Sequence, residues 1–247
     1  MKRIKPILLI VFVITLTSCA SKKNTVYFNN NDQEEILKPQ EYVNERIKIN
    51  DILNINVSAL DMSSVKPFIK ENVISQNIEQ KLIDGYIVEK DGTIKLPLID
   101  VVYLEGLTTK EAAELITEKL KASIVKPIVN VRILNFKITI MGEVNRPNTY
   151  TLYDPKINIM QALGLAGDIT IYGNKKQLKI IRGTTDGEKI IKQIDITNSD
   201  FFNSEYFYLK NNDIIYVEPT FAKVKNSGYI GQITNITTVF SVIMSII

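Results

Sequence analysis

Short runs with apolar residues at every second position recur along this chain and most constrain its fold. Ile47–Val57 carries apolar residues at the alternating positions 47 and 49, then 53, 55 and 57, and the phase changes at Asn50-Asp51. Pro127–Ile133 and Phe136–Val144 alternate in the same way. A period of two predicts strands with one buried face, and the change of phase indicates a turn or bulge between two short strands.

The first half of the chain combines a predicted hairpin with one helix. Gly85–Pro97 carries Asp91-Gly92 between two β-rich runs, which is a signal for a two-residue hairpin turn. Thr108 and Glu111 have the spacing of a capping box. An apolar stripe at helical spacing follows, which predicts a helix ending near residue 123; its members are Ala112, Leu115, Ile116 and Leu120.

The second half repeats this mixture of strands and one short helix. Tyr150–Leu152 is predicted to pair with the preceding strand, and Ile157–Ala166 is predicted to be a helix that Gly167 terminates. Further strands are predicted at Leu178–Arg182, Lys189–Ile196 and Lys210–Pro219. We therefore expect an α+β chain of two small mixed domains, residues 43–134 and 135–220, followed by a C-terminal amphipathic membrane helix.

The N-terminus has the features of a secretory signal, over residues 1–18. Lys2, Arg3 and Lys5 precede an apolar stretch of about 11 residues, too short to cross a bilayer as a helix. The sequence Leu-Thr-Ser-Cys ending at Cys19 resembles a bacterial lipobox, which would make Cys19 the lipidated first residue. The alternative is an ordinary cleaved signal with a chance cysteine. Residues 19–42 are polar and predict a tether, and the lack of aspartate after Cys19 favours the outer membrane.

The C-terminal residues 226–247 contain no charge and have two unlike faces. As a helix they would be about 33 Å long, close to one hydrocarbon thickness. The polar face consists of Gln232, Asn235, Thr238 and Ser241. A lone membrane helix would expose these side chains to lipid, whereas a ring of helices would turn them toward a water-filled pore. The alternatives are a helix in the membrane interface, or a docked soluble helix or disordered tail.

The composition argues against several classes of function. The chain has no histidine and one cysteine, so Ser-His-Asp catalysis, a disulfide within the chain and a thiolate zinc site are excluded. With 30 basic and 27 acidic residues, nothing indicates a nucleic-acid partner. We expect no catalytic residue, no metal and no cofactor. A carboxylate-dependent glycan hydrolase or lyase is the remaining enzymatic alternative.

Residues 43–134 resemble the polysaccharide biosynthesis/export family, through IKINDILNINV, the run GYIVEKDGTIKLPLIDVVYLEGLTTKEAAELITEKL and KPIVNVRI. Residues 136–219 resemble a soluble-ligand-binding β-grasp domain, through the Gly142–Pro147 opening, the Ala162–Gly167 helix end and the closing strand from Asn211. The resemblance implies a ring of copies in the outer-membrane lipid, with most of each chain in the periplasm. It also implies a polysaccharide as cargo and an inner-membrane polysaccharide co-polymerase as partner.

Two functions follow as hypotheses. The first is an outer-membrane lipoprotein that forms an oligomeric channel for capsular or extracellular polysaccharide. The second is a monomeric periplasmic lipoprotein that binds glycan without a pore. Several aromatic side chains of the second half could stack on sugars or pack within the protein: Tyr150, Tyr153, Tyr172, Tyr206, Phe207 and Tyr208.

Overall fold

The structure is a computed structural model that describes residues 26–28, 41–61, 63–68, 84–184, 187–221 and 223–224. The predicted signal peptide, Cys19 and most of the tether lie outside the described residues, as do residues 226–247 with Gln232, Asn235, Thr238 and Ser241. Within the described part of the chain, no helix has both the length and the apolar character needed to cross a membrane.

A three-stranded antiparallel sheet organises the first half. Its strands are β1 (Ile52–Ser58), β2 (Tyr86–Ile87) and β5 (Ile128–Ile133), in the order β2-β1-β5. Every second residue of β1 is buried, as the alternating pattern predicts. The predicted turn before β1 is confirmed at Asn50, whose φ of 67° lies in the left-handed region. The short strand predicted before this turn does not form, because Arg46 makes only an isolated bridge to Thr108 and residues 47–49 pair with no described strand. Lys66–Phe68 later forms a 3-10 helix.

The predicted hairpin across Asp91-Gly92 has a different pairing. The turn exists, because the Gly92 amide donates to the Glu89 carbonyl at 2.9 Å and Gly92 has φ +77°. The strand before it, β2, pairs with β1 instead, and β3 (Thr93–Leu96) forms a separate hairpin with β4 (Asp100–Tyr103). The Val88 amide donates to the Asp51 carbonyl, and the Val88 carbonyl accepts from the Asn50 amide, both at 2.9 Å. The backbone just after β2 therefore pairs with the turn before β1.

Helix α1 (Thr109–Leu120) confirms the predicted capping box. The Thr108 side chain accepts from the Glu111 amide at 3.2 Å, and the Glu111 carboxylate accepts from the Thr108 amide at 2.7 Å. Ala112, Ile116 and Leu120 are fully buried, so the helix packs its apolar stripe against β5. The helix ends close to the predicted boundary.

A five-stranded sheet organises the second half. It consists of β6 (Lys137–Gly142), β7 (Asn148–Thr151), β8 (Gly173–Gly183), β9 (Lys189–Ile194) and β10 (Ile214–Pro219). The order is β7-β6-β10-β8-β9, with β10 parallel to β6 and antiparallel to β8. The predicted return of β7 onto β6 is confirmed. Strand β8 begins earlier than expected: Gly173 pairs with Pro219 across a register shift, and the Lys175 carbonyl accepts from the Ile196 amide at 3.0 Å.

Helix α2 (Ile159–Leu165) lies between β7 and β8 in the chain. Asn158 and Gln161 form its capping box, and Gly167 has φ +71° just after the helix end, as expected of a terminating glycine. A second 3-10 helix, Ser199–Asn203, precedes β10. The two α-helices and three sheets of the described residues confirm the α+β class.

Gly142, at the end of β6, allows β10 to lie beside that strand. Its φ is +91°, and a Cβ added there would lie 2.1 Å from the Val217 carbonyl oxygen. No other residue fits such a close backbone approach without displacing β10.

The buried side chains of both halves form one continuous hydrophobic cluster. Asn135, in the short connection between β5 and β6, is held to the first sheet, since its side chain accepts from the Ile52 amide and donates to the Asn50 carbonyl, both at 3.0 Å. The next residue, Phe136, is 1% exposed. The sheets are therefore packed together around the short connection between β5 and β6.

Candidate functional site

The segment Tyr42–Lys48 runs between the two halves and forms one wall of a cleft. On the first-half side, the Ile47 amide donates to the Leu107 carbonyl at 2.8 Å and its carbonyl accepts from Gly106 at 2.9 Å. Arg46 Nη1 donates to the Gly106 carbonyl at 2.6 Å. These bonds fix the segment beside the N-terminus of α1.

Glu45 fixes the same segment to the second half. Both of its carboxylate oxygens accept from the Asn211 amide, at 3.3 Å, and Lys48 Nζ donates to Oε1 at 2.8 Å. The Glu45 side chain is only 10% exposed. The carboxylate therefore serves as a bridge between the halves, with two donors already bound to it.

Two tyrosines stand at the mouth of the cleft. The rings of Tyr42 and Tyr208 meet edge to face, with centroids 5.3 Å apart. Lys156 Nζ lies 5.8 Å from the Tyr42 ring centroid. Burial raises the pKa of the Tyr42 hydroxyl, and the nearby Glu45 and Asp154 carboxylates raise it further. The hydroxyl therefore stays protonated and can donate a hydrogen bond at neutral pH.

Open space lies on both sides of the Tyr42–Lys48 segment. One cleft, of about 360 Å³, is lined by Glu41, Tyr42, Val43, Asn44, Glu45, Arg46, Lys48, Glu205, Tyr208, Leu209 and Lys210. The other, of about 410 Å³, includes Tyr42, Thr109, Arg132, Tyr153 and Asp154. Small-molecule sites combine apolar walls with a few polar groups. In these clefts the aromatic rings can contact the apolar faces of a sugar, and the carboxylates and cations can bind its hydroxyl groups.

A buried ion pair holds the loop that carries Tyr208. Arg182 Nε and Nη2 donate to the two Asp213 carboxylate oxygens at 3.0 and 2.7 Å, and Nη2 also donates to the Tyr208 carbonyl at 3.0 Å. The Asp213 carboxylate additionally accepts from the Lys210 amide at 2.8 Å. The guanidinium carbon lies 4.7 Å from the Tyr206 ring centroid. The position of Tyr208 is thus set from within the core.

Asp51 stabilises the turn at the other end of the segment. Its carboxylate accepts from the Lys48 amide at 2.8 Å, and the residue is 5% exposed. Burial is the main cause that raises the pKa of this carboxyl to about 6, and Glu45 adds to it. The bond to the Lys48 amide acts in the opposite direction.

The aromatic residues singled out in the sequence have different environments. Tyr208 and Tyr153 line the clefts, whereas Tyr206 is buried against Arg182. Phe207 packs into the core, and the Tyr150 hydroxyl donates to the Arg146 carbonyl. Tyr172, 42% exposed, lies away from the clefts, on the loop before β8.

Tyr42 is the cleft residue that sequence reasoning missed. It falls within the stretch interpreted as a polar tether, and no periodic pattern surrounds it. Its role depends on Tyr208, which lies far along the chain. The lipidation residue Cys19 and the four polar tail residues lie outside the described part of the chain.

Comparison with known proteins gives a consistent result. Residues 39–134 match the family described as "Polysaccharide biosynthesis/export protein". The chain is 27% identical over 141 residues to "EPS I polysaccharide export outer membrane protein EpsA" of Ralstonia solanacearum, covering 56% of this chain and 37% of that protein. The protein of the same name from Ralstonia nicotianae is 26% identical over 140 residues, covering 55% and 36%. The match thus spans just over a third of these relatives.

Proposed function

We propose that this chain is an outer-membrane lipoprotein for export of capsular or extracellular polysaccharide, because residues 39–134 match the polysaccharide biosynthesis/export family. Copies assemble into an oligomeric channel through which the polymer passes, with no catalytic step. The observation that carries the proposal is the family match, together with two similar proteins named as polysaccharide export outer membrane proteins. An inner-membrane polysaccharide co-polymerase supplies the polymer.

We infer two means of attachment to the outer membrane. Acylation of Cys19 anchors the N-terminus, and residues 226–247 form a membrane helix in each copy. In the ring, Gln232, Asn235, Thr238 and Ser241 face the pore. Uncharged polar side chains offer a sugar chain hydrogen bonds that exchange readily, so the polymer is not trapped. The two halves of the chain, residues 43–134 and 135–220, form the periplasmic part.

A second candidate function has support in the cleft. Tyr42 and Tyr208 meet edge to face beside polar and charged side chains. A monomeric periplasmic lipoprotein could hold a glycan there without a pore. In the channel proposal the same cleft is a contact point for the polymer on its way to the membrane, so glycan binding by itself does not separate the two functions.

The mass of the detergent-extracted, lipidated protein separates them. It is measured by light scattering for the full-length protein and for a version ending at Lys225. A large oligomer, whose truncated form loses insertion into the bilayer but stays attached through the lipid on Cys19, supports the channel. A monomer in every detergent, with a tail that does not insert into the bilayer, contradicts the channel and leaves the glycan-binding lipoprotein.

Conductance through planar bilayers then tests the pore lining. Replacing Asn235 and Thr238 by leucine and valine should reduce conductance without changing the oligomer mass, because apolar constrictions exclude water. Ile236→Leu, on the apolar face, is the matched control and should conduct normally. Equal conductance of both variants would contradict the assignment of the polar face to the lumen.

A further inference from the structure

The two segments that lead toward the proposed anchors meet at the same loop, Asp168–Tyr172. The Tyr27 hydroxyl donates to the Asp168 carboxylate. The Thr220 amide donates to the Tyr172 carbonyl at 2.7 Å. The start of the described chain and the residue just after β10 therefore contact positions only four residues apart, at one end of the five-stranded sheet.

Side-chain contacts hold the N-terminal segment in this position. Lys175 Nζ lies 4.9 Å from the Tyr27 ring centroid, and the Phe28 ring stacks on Phe201 and Phe202 at 6.1 and 5.4 Å. Position 26 lies seven steps along the chain from Cys19, and an extended chain spans at most about 25 Å over that length. A lipid on Cys19 therefore keeps this end of the sheet within about 25 Å of the bilayer.

The C-terminal segment is held just as firmly. Lys223 pairs with the Glu143 carboxylate, which also accepts from the Thr170 hydroxyl at 2.9 Å. The Lys223 amide donates to the Thr220 carbonyl at 3.0 Å, so the chain turns immediately after β10. Residue 224 is thus located beside the Asp168–Tyr172 loop, two residues before the proposed membrane helix begins.

Four apolar side chains are exposed around this meeting point, and we call them the apolar tip. Ile171 and Phe221 are 81% and 80% exposed, and Val224 and Tyr172 are 53% and 42% exposed. The bond between Thr220 and Tyr172 brings the two chain segments together, so these side chains form one surface. Lys22 and Lys23 follow Cys19 in the sequence, and Lys223 and Lys225 precede the uncharged tail.

We propose that the apolar tip is a lipid-contacting surface that inserts into the periplasmic leaflet of the membrane. The inference rests on the proposed function for the two anchors. Apolar side chains enter the boundary between head groups and acyl chains, tyrosine is favoured at that depth, and flanking lysines attract anionic head groups. The surface would fix the tilt of the five-stranded sheet relative to the bilayer, which a flexible tether alone cannot do.

Tryptophan fluorescence tests this surface, because the chain contains no tryptophan. Ile171→Trp and Phe221→Trp each place one reporter at the apolar tip of the full-length, lipidated protein. Ile191→Trp and Val125→Trp are matched controls, since Ile191 and Val125 are 63% and 72% exposed elsewhere. Each variant is reconstituted into vesicles of phosphatidylethanolamine and phosphatidylglycerol, with or without brominated acyl chains, and flotation confirms membrane attachment.

Brominated lipid should quench both tip reporters by about twofold or more and leave the controls nearly unchanged, since bromine quenches only nearby indoles at the interface. Floating protein with unquenched tip reporters would overturn the lipid contact while the anchor stands. A blue-shifted but unquenched emission would place protein, such as a second copy, on the tip and also overturn it. Failure of every variant to float would overturn both the surface and the anchoring on which it rests.

Discussion

Removing the buried carboxylate of Asp213 should destabilise the protein strongly. Asp213 is fully buried and Arg182 is 8% exposed, so Asp213→Ala leaves a guanidinium charge in the core with neither carboxylate bond. It also removes the acceptor for the Lys210 amide. Breaking a buried ion pair by deleting one partner costs about 3–5 kcal/mol. For a chain of this size that corresponds to a fall in Tm of roughly 6–20 °C.

The neighbouring pair between Lys179 and Glu218 supplies the control. It joins the same two strands, β8 and β10, but its side chains are 36% and 26% exposed. Glu218→Ala should cost less than about 1 kcal/mol, because solvent screens such pairs. Urea unfolding of the full-length protein in mild detergent, followed by circular dichroism, gives both values.

A loss of stability for Asp213→Ala no larger than that for Glu218→Ala would contradict a strong contribution from this buried ion pair. A double variant, Arg182→Met with Asp213→Leu, should regain much of the loss, because it removes both charges together. Asp213→Ala should also weaken glycan binding at the cleft, since Arg182 Nη2 holds the Tyr208 carbonyl. Calorimetric titration with fragments of the exported polymer measures that effect.

Three further predictions address the turn, the helix cap and the close strand approach. Folding raises the pKa of Asp51 from 3.8 to about 6, so the folded state binds the proton more tightly and stability should fall as pH rises from about 4 to 6. Asp51→Asn should abolish that slope and increase the free energy of unfolding at pH 7 by about 1–2 kcal/mol after solvent screening. A free energy of unfolding of the wild type that does not change with pH, measured with urea, would contradict this. Thr108→Ala should cost about 1 kcal/mol in the same assay, and Thr109→Ala much less, because only Thr108 caps α1. Gly142→Ala should cost more than about 2 kcal/mol, from positive φ and the contact with the Val217 carbonyl, whereas Gly183→Ala, with open space around it, should be mild.

Glycan binding provides a last test of the cleft. Tyr42→Ala should weaken binding of polymer fragments by roughly tenfold, since stacking on an aromatic ring contributes about 1 kcal/mol or more. Tyr103 on β4 is 57% exposed and lies outside both clefts. The control variant Tyr103→Ala should therefore bind the fragments with the affinity of the wild type. Equal affinities of Tyr42→Ala and the wild type would contradict glycan binding in the cleft.

The structure confirms most local predictions from the sequence. The capping box at Thr108 and Glu111, the terminating glycine at Gly167 and the alternation along β1 all appear where expected. Each depends on hydrogen bonds or side-chain periodicity within a few residues, which the order of amino acids specifies directly. The family assignment rests on the same kind of local pattern, extended over residues 39–134.

The partners of strands and side chains were decided only by the tertiary structure. The Asp91-Gly92 turn was correctly identified, yet β2 pairs with β1 and β3 with β4. Strand β10 lies between β6 and β8, and Arg182 meets Asp213 within that arrangement. These choices depend on which backbone groups remain unpaired once the core is packed, a competition between segments far apart in the chain.

The cleft illustrates the same division. The sequence indicated Tyr208 and Tyr153 as candidates for stacking on sugars, but it did not distinguish them from Tyr206, which is buried in the fold. Tyr42 had no local signal, and long-range bonds such as that from the Asn211 amide to Glu45 place it beside Tyr208. Sequence therefore determined the local elements and the match to the export family over residues 39–134, whereas the long-range contacts between the two halves decided which side chains share a site.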